Sequence, residues 1–199
     1  MNEIISYGKN VINKEINGAR QMLDCIDENF SKAVEAILEC KGKVIIIGIG
    51  KSGHVGKKIA ASMASTGTSA FFVHGDEILH GDLGMIEKDD VVILLSNSGE
   101  TREIIGGFPT LEKIGCLLIS ITSNPESTMA RKSHIHIYIG KLKEADHLNL
   151  APTTSSTATL ILGDALALTS SYLKKFKKED FALCHPGGNL GKNLTGKEI

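Results

Sequence analysis

The sequence predicts an α/β fold built around a parallel β-sheet, and two patterns carry this prediction. Five short apolar runs follow one another along the chain, and most are continuous instead of alternating with polar residues. Continuous runs are expected for strands that are covered by helices on both faces. Segments with helical spacing of apolar residues separate the runs, and such alternation favours parallel strands joined by right-handed crossovers.

The predicted elements begin with two helices, in which apolar side chains recur every three or four positions, at about residues 3–24 and 31–39. The five predicted strands follow at 44–48, 70–73, 91–95, 117–121 and 135–139. The intervening helices are predicted at 52–67, 101–115 and 125–133, and a long helix at about 153–175. The segment from Asp180 onwards is rich in glycine and is predicted to be irregular.

Length and composition fit one compact domain over residues 1–199. It would comprise N-terminal helices at about 3–40, a sheet core at about 43–140, and the long helix with its tail at about 152–199. With 42% hydrophobic residues the chain can bury a core. The 22 basic and 23 acidic residues leave a net charge of -1, so no overall field would draw the protein onto nucleic acid or a membrane.

The cysteines and the apolar runs also bear on the location of the protein. Four cysteines lie far apart without a CxxC pair, which fits reduced thiols in a cytosolic protein. The N-terminal segment lacks the pattern of a secretory leader, and no apolar run approaches the ~20 residues of a membrane-spanning helix. A soluble, cytoplasmic protein is therefore expected.

In a parallel sheet the ligand binds beyond the carboxyl ends of the strands, so the residues that follow each run are the candidate site. The first run leads into GIGKSG at 48–53, which fits GxGxxG and suggests a dinucleotide site. The acidic residue expected ~20 residues later is missing, and the glycine spacing also excludes a Walker loop. A simpler hypothesis is that helix N-terminal amides and Lys51 bind a negative group. The alternative is that Lys51 is a solvated loop residue.

The third run ends in SNSGET at 96–101, whose hydroxyl-bearing residues suit a phosphate monoester. Ser96, Ser98 and Thr101 can each donate a hydrogen bond, and the following helix supplies free amides and the positive end of its dipole. The alternative is structural, with Asn97 as helix cap and Glu100 completing a capping-box-like pair. Both interpretations can hold together.

Other polar side chains are candidates for chemistry. Glu103 lies one turn into the helix that follows SNSGET, and Glu144 precedes a row of hydroxyl residues, where it could be a general base. His185 precedes a proline and two glycines, a turn that can project an imidazole. His74 and His80 bracket a strand-end loop and could reach a ligand or a transition metal. For Glu103, Glu144 and His185 the plainer alternative is a solvated surface residue.

Taken together and in this order, these segments resemble the sugar-isomerase (SIS) domain, and more closely the arabinose-5-phosphate isomerase family. The resemblance is carried by GIGKSGHVGKKIAASMASTGT, FFVHGDEILHGDLGMI, SNSGET, KEADHLNLAPTTSSTATLILGDALA and DFALCHPGGNLGK. It implies a three-layer α/β/α sandwich with a flavodoxin-like, five-stranded parallel sheet. It also implies interconversion of D-arabinose 5-phosphate and D-ribulose 5-phosphate, which supplies the sugar Kdo for lipopolysaccharide or capsule.

The resemblance assigns catalytic roles to Lys51, Glu103, Glu144 and His185. It assigns substrate binding to Gly50, Ser52, Gly67, Thr68, His80, Ser96, Asn97, Ser98, Thr101 and Thr153. His74 matches a position where family members can hold an inhibitory zinc. No cofactor is expected to be required, because the reaction moves a proton between two carbons.

The implied mechanism passes through a cis-enediol. Glu144 is the first candidate for the base and Glu103 the second, while His185 opens the sugar ring or moves a proton between oxygens. Lys51 would stabilise the enediolate oxygen. Family members are tetramers with shared active sites, so a homotetramer is expected, with His185 serving a neighbouring subunit.

Other outcomes stay open at this point. Longer family members continue beyond HPGG into a pair of cystathionine-beta-synthase-type regulatory domains, and a short form without that pair is expected here. A non-catalytic module that binds a sugar phosphate is one alternative function. An isomerase of another phosphosugar is a second.

Overall fold

A computed structural model gives the fold and describes residues 2–186. The elements follow in the order α1 (Glu3–Leu23), α2 (Glu28–Glu39), β1 (Val44–Gly48), α3 (Gly50–Ser65), β2 (Ala70–His74), β3 (Val91–Leu95), α4 (Arg102–Ile114), β4 (Leu117–Thr122), α5 (Thr128–Lys132), β5 (Ile135–Tyr138), α6 (Thr154–Leu173) and α7 (Lys178–Cys184). Two short 3-10 helices, Ile78–His80 and Asp82–Met85, lie between β2 and β3.

The five strands form one parallel sheet in the order β2-β1-β3-β4-β5. This is the flavodoxin-like order, in which the direction of winding reverses between β1 and β3. The predicted fold class is therefore confirmed. At the switch point β1 and β3 pair side by side, with Gly48 opposite Leu95 at their carboxyl ends. The loops that leave these two strands are neighbours for that reason.

Each face of the sheet has its own apolar core, which gives the three predicted layers. On one face α1, α2, α3 and α6 pack against side chains such as Ile46 and Ile93. On the other face α4 and α5 pack against Ile45 and Leu94. Because successive strand residues point to opposite faces, β1 and β3 are buried at every position. This double burial explains their continuous apolar sequences.

The helices α3 and α6 are in close contact, and a glycine makes that contact possible. A Cβ at Gly163 of α6 would lie 2.3 Å from Cδ1 of Ile59 in α3, so no side chain fits at this position. Lys58 of α3 also forms an ion pair with Asp164 of α6. The contact fixes the distance between two helices that both begin at the carboxyl edge of the sheet.

Two predicted elements differ from the structure. The segment predicted to be irregular from Asp180 begins within α7, whose first turn is closed by the Lys177 N–H donating to Asp180 Oδ2 over 2.9 Å. The glycines that suggested irregular structure come later, at 187 and beyond, outside the described residues. The helix predicted at 125–133 begins only at Thr128, because Ser127 caps it and accepts a hydrogen bond from Ala130.

Two further predictions concern the state of the cysteines and the presence of a membrane-spanning helix. All four cysteines lie in the described range and are free thiols, as predicted. Between residues 2 and 186, no helix is both long enough and apolar enough to cross a bilayer.

Candidate active site

The loop that leaves β3 brings its hydroxyl groups together. Ser96 is 5% exposed, and its Oγ lies 2.7 Å from Thr101 Oγ1 and 3.4 Å from Ser98 Oγ. The Gly99 N–H donates to Ser96 Oγ over 3.0 Å. Three hydroxyls and one amide thus form a compact group of donors, which can bind a phosphate dianion without a large local charge.

Contacts with α5 fix the shape of this hydroxyl loop. Gly99 has a φ of +67°, and a Cβ there would lie 2.1 Å from Ser127 Oγ, so only glycine fits. Glu100 Oε1 accepts a hydrogen bond from the Thr128 N–H over 2.7 Å. This bond lowers the pKa of Glu100 below its ordinary value. The Glu100 carboxylate therefore stabilises the loop, as the sequence suggested, but through a different partner.

The capping pair predicted for the hydroxyl loop is wrong. The N-cap of α4 is Thr101, and no side chain forms a cap hydrogen bond there. Asn97 instead accepts hydrogen bonds through its backbone carbonyl, from the Ser123 N–H at 2.9 Å and Ser123 Oγ at 2.7 Å. The amides of the first turn of α4 are left as donors for a ligand. Glu103 lies in that turn and is exposed.

The loop that leaves β1 is short because glycines let the strand and the helix approach each other. A Cβ at Gly53 would lie 3.0 Å from the carbonyl oxygen of Gly48. As a result α3 begins at Gly50, with Lys51 exposed and Ser52 half-buried. No atom lies within 4 Å of a Cβ built at Gly50, so space for a ligand remains at the start of α3.

Glu144 caps the N-terminus of α6. Its Oε2 accepts hydrogen bonds from the Thr153 N–H at 2.8 Å, Thr153 Oγ1 at 3.1 Å and the Ser155 N–H at 3.3 Å. Its Oε1 accepts a hydrogen bond from Ser155 Oγ. The carboxylate is half-buried and lies where the helix dipole favours negative charge. Thr153, predicted to bind substrate, thus binds Glu144 in the structure.

The backbone beside Glu144 is also held in place. Asn149, with a φ of +56°, accepts the Glu144 N–H through Oδ1 over 2.7 Å. The Ala145 N–H donates to Thr153 Oγ1 over 2.9 Å, and Lys14 of α1 donates to the Ala145 carbonyl over 3.1 Å. The segment that carries Glu144 is therefore attached to both α1 and α6.

A cavity of about 150 Å³ joins the start of α3, the hydroxyl loop and the start of α6. It is lined by Ile49, Lys51, Ser52, Asn97, Pro152, Ser155, Ser156 and Thr159. Glu144 does not line this cavity itself but is hydrogen-bonded to Ser155, which does. A larger cavity of about 660 Å³ lies between α1 and residues 141–149, and Glu144 lines that one. Glu144 thus borders the larger cavity and contacts the wall of the smaller one through Ser155.

Sequence reasoning did not single out three of the lining residues, Ser155, Ser156 and Thr159. For Ser155 and Ser156 the signal was the row of hydroxyl residues at 153–157, whereas Thr159 lies beyond that row. Because every residue in that row is polar, the sequence does not show which of them face the cavity. The rotational position of α6 decides this, and it depends on packing against α3 and α1.

Gly67 and Thr68 lie between the end of α3 and the start of β2, on the side of the sheet where the strands begin. Thr68 is 3% exposed and bonds to Lys174 Nζ over 2.8 Å, while a Cβ at Gly67 would lie 2.5 Å from Phe176. The 16 residues of α3 rise about 24 Å, which separates this position from Lys51. Gly67 and Thr68 therefore do not line the cavity of their own chain, and their assignment to a substrate site stays a prediction.

His185 follows α7, beyond the carboxyl end of α6. Its Nδ1 lies 2.9 Å from the Phe181 carbonyl oxygen, and its ring stacks on Phe181 with 3.9 Å between the centroids. It does not line the cavity with Lys51. Its catalytic role stays a prediction that requires a second copy of the chain.

His74 and His80 lie on the segment that leaves β2. His80 is exposed at the end of a 3-10 helix, and His74 Nδ1 lies 3.6 Å from Asp76 Oδ2. Over the part of the chain that the structure describes, no group of three or more His, Cys, Asp or Glu side chains converges as a metal site. The zinc position predicted at His74 would need ligands beyond this histidine and Asp76.

The fold and the position of the site define a class of protein. It is a doubly wound α/β domain with a hydroxyl-rich loop at its topological switch point. The chain belongs to the SIS domain family, which matches residues 37–169.

Curated relatives extend this comparison. The arabinose 5-phosphate isomerase KdsD of Yersinia pestis is 54% identical over 201 residues, covering 96% of this chain and 61% of that protein. The protein of the same name from Escherichia coli K12 is 51% identical with the same coverage. The chain thus spans 61% of the length of these curated relatives.

Solved structures show the same likeness. The structure of E. coli CFT073 c3406 in complex with arabinose 5-phosphate is 47% identical with a TM-score of 0.90, covering 94% of this chain and all of that one. The Vibrio vulnificus NanR protein complexed with ManNAc-6P has a TM-score of 0.76 at 19% identity, covering 88% of this chain and 67% of that one. This second likeness shows the fold alone.

Proposed function

We propose that the chain is an aldose–ketose isomerase that interconverts D-arabinose 5-phosphate and D-ribulose 5-phosphate. The observation that carries this proposal is the cavity at the switch point, where Lys51, Asn97 of the hydroxyl loop and the Glu144-capped start of α6 meet. The relatives support the choice of substrate. Two of them are curated arabinose 5-phosphate isomerases at 54% and 51% identity, and c3406 was solved with arabinose 5-phosphate.

The hydroxyl loop is the proposed phosphate site. Ser96, Ser98 and Thr101 bond to one another in the structure, and each can exchange such a bond for one to a phosphate oxygen. The first-turn amides of α4 add donors and the positive end of the helix dipole. The phosphate thereby anchors the sugar with its carbon chain directed into the cavity.

Glu144 is the proposed base that moves the proton between C2 and C1. Its Oε2 is held by three donors at the start of α6, whereas its Oε1 accepts only the Ser155 hydroxyl. Oε1 is therefore the oxygen proposed to take the C2 proton, leave a cis-enediol, and return the proton to C1. Glu103, exposed in the first turn of α4, is the second candidate.

Lys51 is the proposed electrostatic partner of the reaction. It lines the cavity at the N-terminus of α3, where its ammonium group and the helix amides both favour negative charge. A developing enediolate oxygen beside it would be stabilised in the transition state. We propose that no cofactor is required for this proton transfer.

A homotetramer with shared active sites is part of the proposal. Large apolar side chains are exposed on α1, among them Ile12 at 60% and Leu23 at 67%, and on α6, where Tyr172 is 81% exposed. Such faces are unfavourable in water, and a second copy of the chain would cover them. His185 and Gly67, which are remote from the cavity, would then complete the site of a neighbour together with the exposed His80, whereas the buried Thr68 would support that surface from beneath.

Two finer points follow from the resemblance to the arabinose-5-phosphate isomerase family. We propose that His74 is a ligand of an inhibitory zinc ion and that Asp76 is a second ligand. The remaining ligands of the zinc ion would come from the substrate or from a neighbouring subunit. We also propose that the product supplies Kdo synthesis for lipopolysaccharide or capsule in the cytoplasm.

Proton exchange in D2O tests the function directly. Incubation with arabinose 5-phosphate is expected to give ribulose 5-phosphate and deuterium at C2 of the recovered aldose, both followed by NMR. Glu144→Gln is expected to lower both rates at least about 100-fold, because the amide cannot take the proton. Binding of the sugar phosphate, measured by calorimetry, should persist.

Glu35→Gln is the matched control, since Glu35 is an exposed glutamate on α2. It is expected to leave both rates unchanged. Binding without exchange in the wild type would identify a non-catalytic module, and turnover of a different aldose phosphate would identify another isomerase. Exchange that survives in Glu144→Gln would transfer the role of base to Glu103.

A further inference from the structure

Ser155 connects the cavity with Glu144 through a hydrogen bond. It is 3% exposed, it lines the cavity, and its hydroxyl donates to Glu144 Oε1. Its N–H also donates to Glu144 Oε2 over 3.3 Å. Among residues 2–186, Ser155 alone bonds to both oxygens of this carboxylate.

The hydrogen bonds on the two oxygens of Glu144 are unequal, and the difference matters for chemistry. Oε2 accepts three hydrogen bonds from Thr153 and Ser155 at the start of α6. Oε1 accepts one, from the Ser155 hydroxyl. The terminal torsion of a glutamate is broad and poorly fixed by its own geometry. The Ser155 hydroxyl is thus the one hydrogen bond among the described residues that holds Oε1, and it comes from a side chain that lines the cavity.

We propose that Ser155 is a positioning residue for the isomerisation, which holds Glu144 Oε1 toward the reacting carbons of the bound sugar phosphate. The inference rests on the proposed role of Glu144 as the base. Its consequence is specific: loss of the Ser155 hydroxyl slows turnover and leaves substrate affinity nearly intact, because the phosphate is bound elsewhere, by the hydroxyl loop.

Thr157 offers a matched control on the same helix. Its Oγ1 donates to Glu15 Oε2 of α1 over 2.7 Å, so it also forms a hydroxyl–carboxylate bond at the start of α6. It does not line the cavity with Lys51. Thr157→Val keeps the side-chain shape and removes only that bond. It therefore shows how much the kinetics change when a hydroxyl–carboxylate bond at the start of α6 is lost without any change at Glu144.

The test compares Ser155→Ala with Thr157→Val in steady-state kinetics with arabinose 5-phosphate. For Ser155→Ala we expect kcat to fall about tenfold or more, with KM changed less than about threefold. Thr157→Val should change neither kcat nor KM. Equal losses in both variants, or a rise in KM alone, would overturn the proposal.

A second readout separates this inference from the proposed function. The 13C chemical shift of the Glu144 carboxyl at one fixed pH reports its hydrogen bonds whether or not the protein turns over arabinose 5-phosphate. Ser155→Ala is expected to change that chemical shift, and Thr157→Val is not. An unchanged chemical shift overturns the positioning role, whereas a changed chemical shift with an inactive wild type overturns only the proposed function. Should Ser155→Ala not fold, Ser155→Cys keeps the volume with a weak donor and should change kcat and the chemical shift in the same direction.

Discussion

Buried polar groups have different partners at the two ends of the strands, called here the amino edge, where β1 and β3 begin, and the carboxyl edge, where they end. At the amino edge Asp90, 1% exposed, accepts the Lys43 N–H at 2.7 Å and the Glu87 N–H at 2.8 Å, and its carboxylate lies 3.3 Å from the Lys43 ammonium. At the carboxyl edge Ser96 is almost as buried, but its partners are hydroxyls and an amide of its own loop.

The difference shows which polar groups can serve a ligand. The Asp90 carboxylate links the starts of β1 and β3 and is bonded on several sides, so its contribution is to stability. Hydroxyls that bond to one another can turn and donate to an incoming anion, because each carries both a donor and acceptor sites. We therefore expect changes at the amino edge to affect unfolding and changes at the carboxyl edge to affect binding.

The largest expected effect tests the amino edge. Asp90→Ala removes a buried carboxylate and leaves the Lys43 and Glu87 N–H groups without their acceptor, so the free energy of unfolding should fall by about 3 kcal/mol. Urea denaturation measures this change. Asp89→Ala is the control, since Asp89 is exposed. The kcat of the folded Asp90→Ala protein should match the wild type, and an equal effect of both substitutions on unfolding would contradict the comparison.

An intermediate effect is expected at the carboxyl edge. Thr101→Val keeps the side-chain shape but removes a hydroxyl of the proposed phosphate site, so affinity for arabinose 5-phosphate should fall about tenfold. The free energy of unfolding should change by less than about 1 kcal/mol, because Thr101 forms no side-chain cap with α4, and Ser96 Oγ, which loses its bond to Thr101, keeps Ser98 Oγ and the Gly99 N–H as partners. Calorimetric titration and urea denaturation check the two quantities. Thr110→Val, at an exposed position of α4, should leave the affinity unchanged.

The smallest effect concerns pH and the end of the sheet where β4 and β5 pair. His136 Nε2 lies 2.9 Å from Thr122 Oγ1, and burial lowers the pKa of His136 below its ordinary value of 6.5, an effect that Asp27 opposes. The unfolded chain therefore takes up a proton more readily than the folded one. This contribution to stability is complete above pH 6.5 and is lost as the pH falls through the lower, folded pKa.

Thermal unfolding between about pH 5.5 and 7.5 checks the sign of this effect. We expect Tm to fall toward the acid end in the wild type and to fall less in His136→Asn. A larger acid loss in the variant would contradict this assignment. Because His136 is placed outside the proposed machinery, the pH profile of kcat/KM should be the same in both proteins.

The sheet and the edge that carries the site could be predicted because strong local signals report them. Strands buried on both faces need continuous apolar runs, and parallel strands with helical crossovers place their carboxyl ends together. Lys51 and the hydroxyl loop follow such strands directly in sequence. Their approach to one cavity is a consequence of strand order alone.

The remaining site features depend on tertiary contacts that have no local pattern. Glu144 caps a helix that begins ten positions later, and Glu100 bonds to the start of α5 instead of α4. Gly67 follows α3, which begins at the candidate site, but the length of α3 places Gly67 on the side of the sheet where the strands begin. In each case the position of the residue depends on where a helix begins or ends and on how the helix is rotated about its axis. Packing against neighbouring elements determines both.

The glycine at 163 has a consequence for the width of the cavity. Ile59 already fills the space where a side chain at this position would begin. Even an added methyl group would force α3 and α6 apart, and Lys51 and Ser155, which stand on opposite walls, would separate with them. The absence of a Cβ at Gly163 thus determines how far apart the two walls of the cavity stand, although Gly163 itself does not line the cavity.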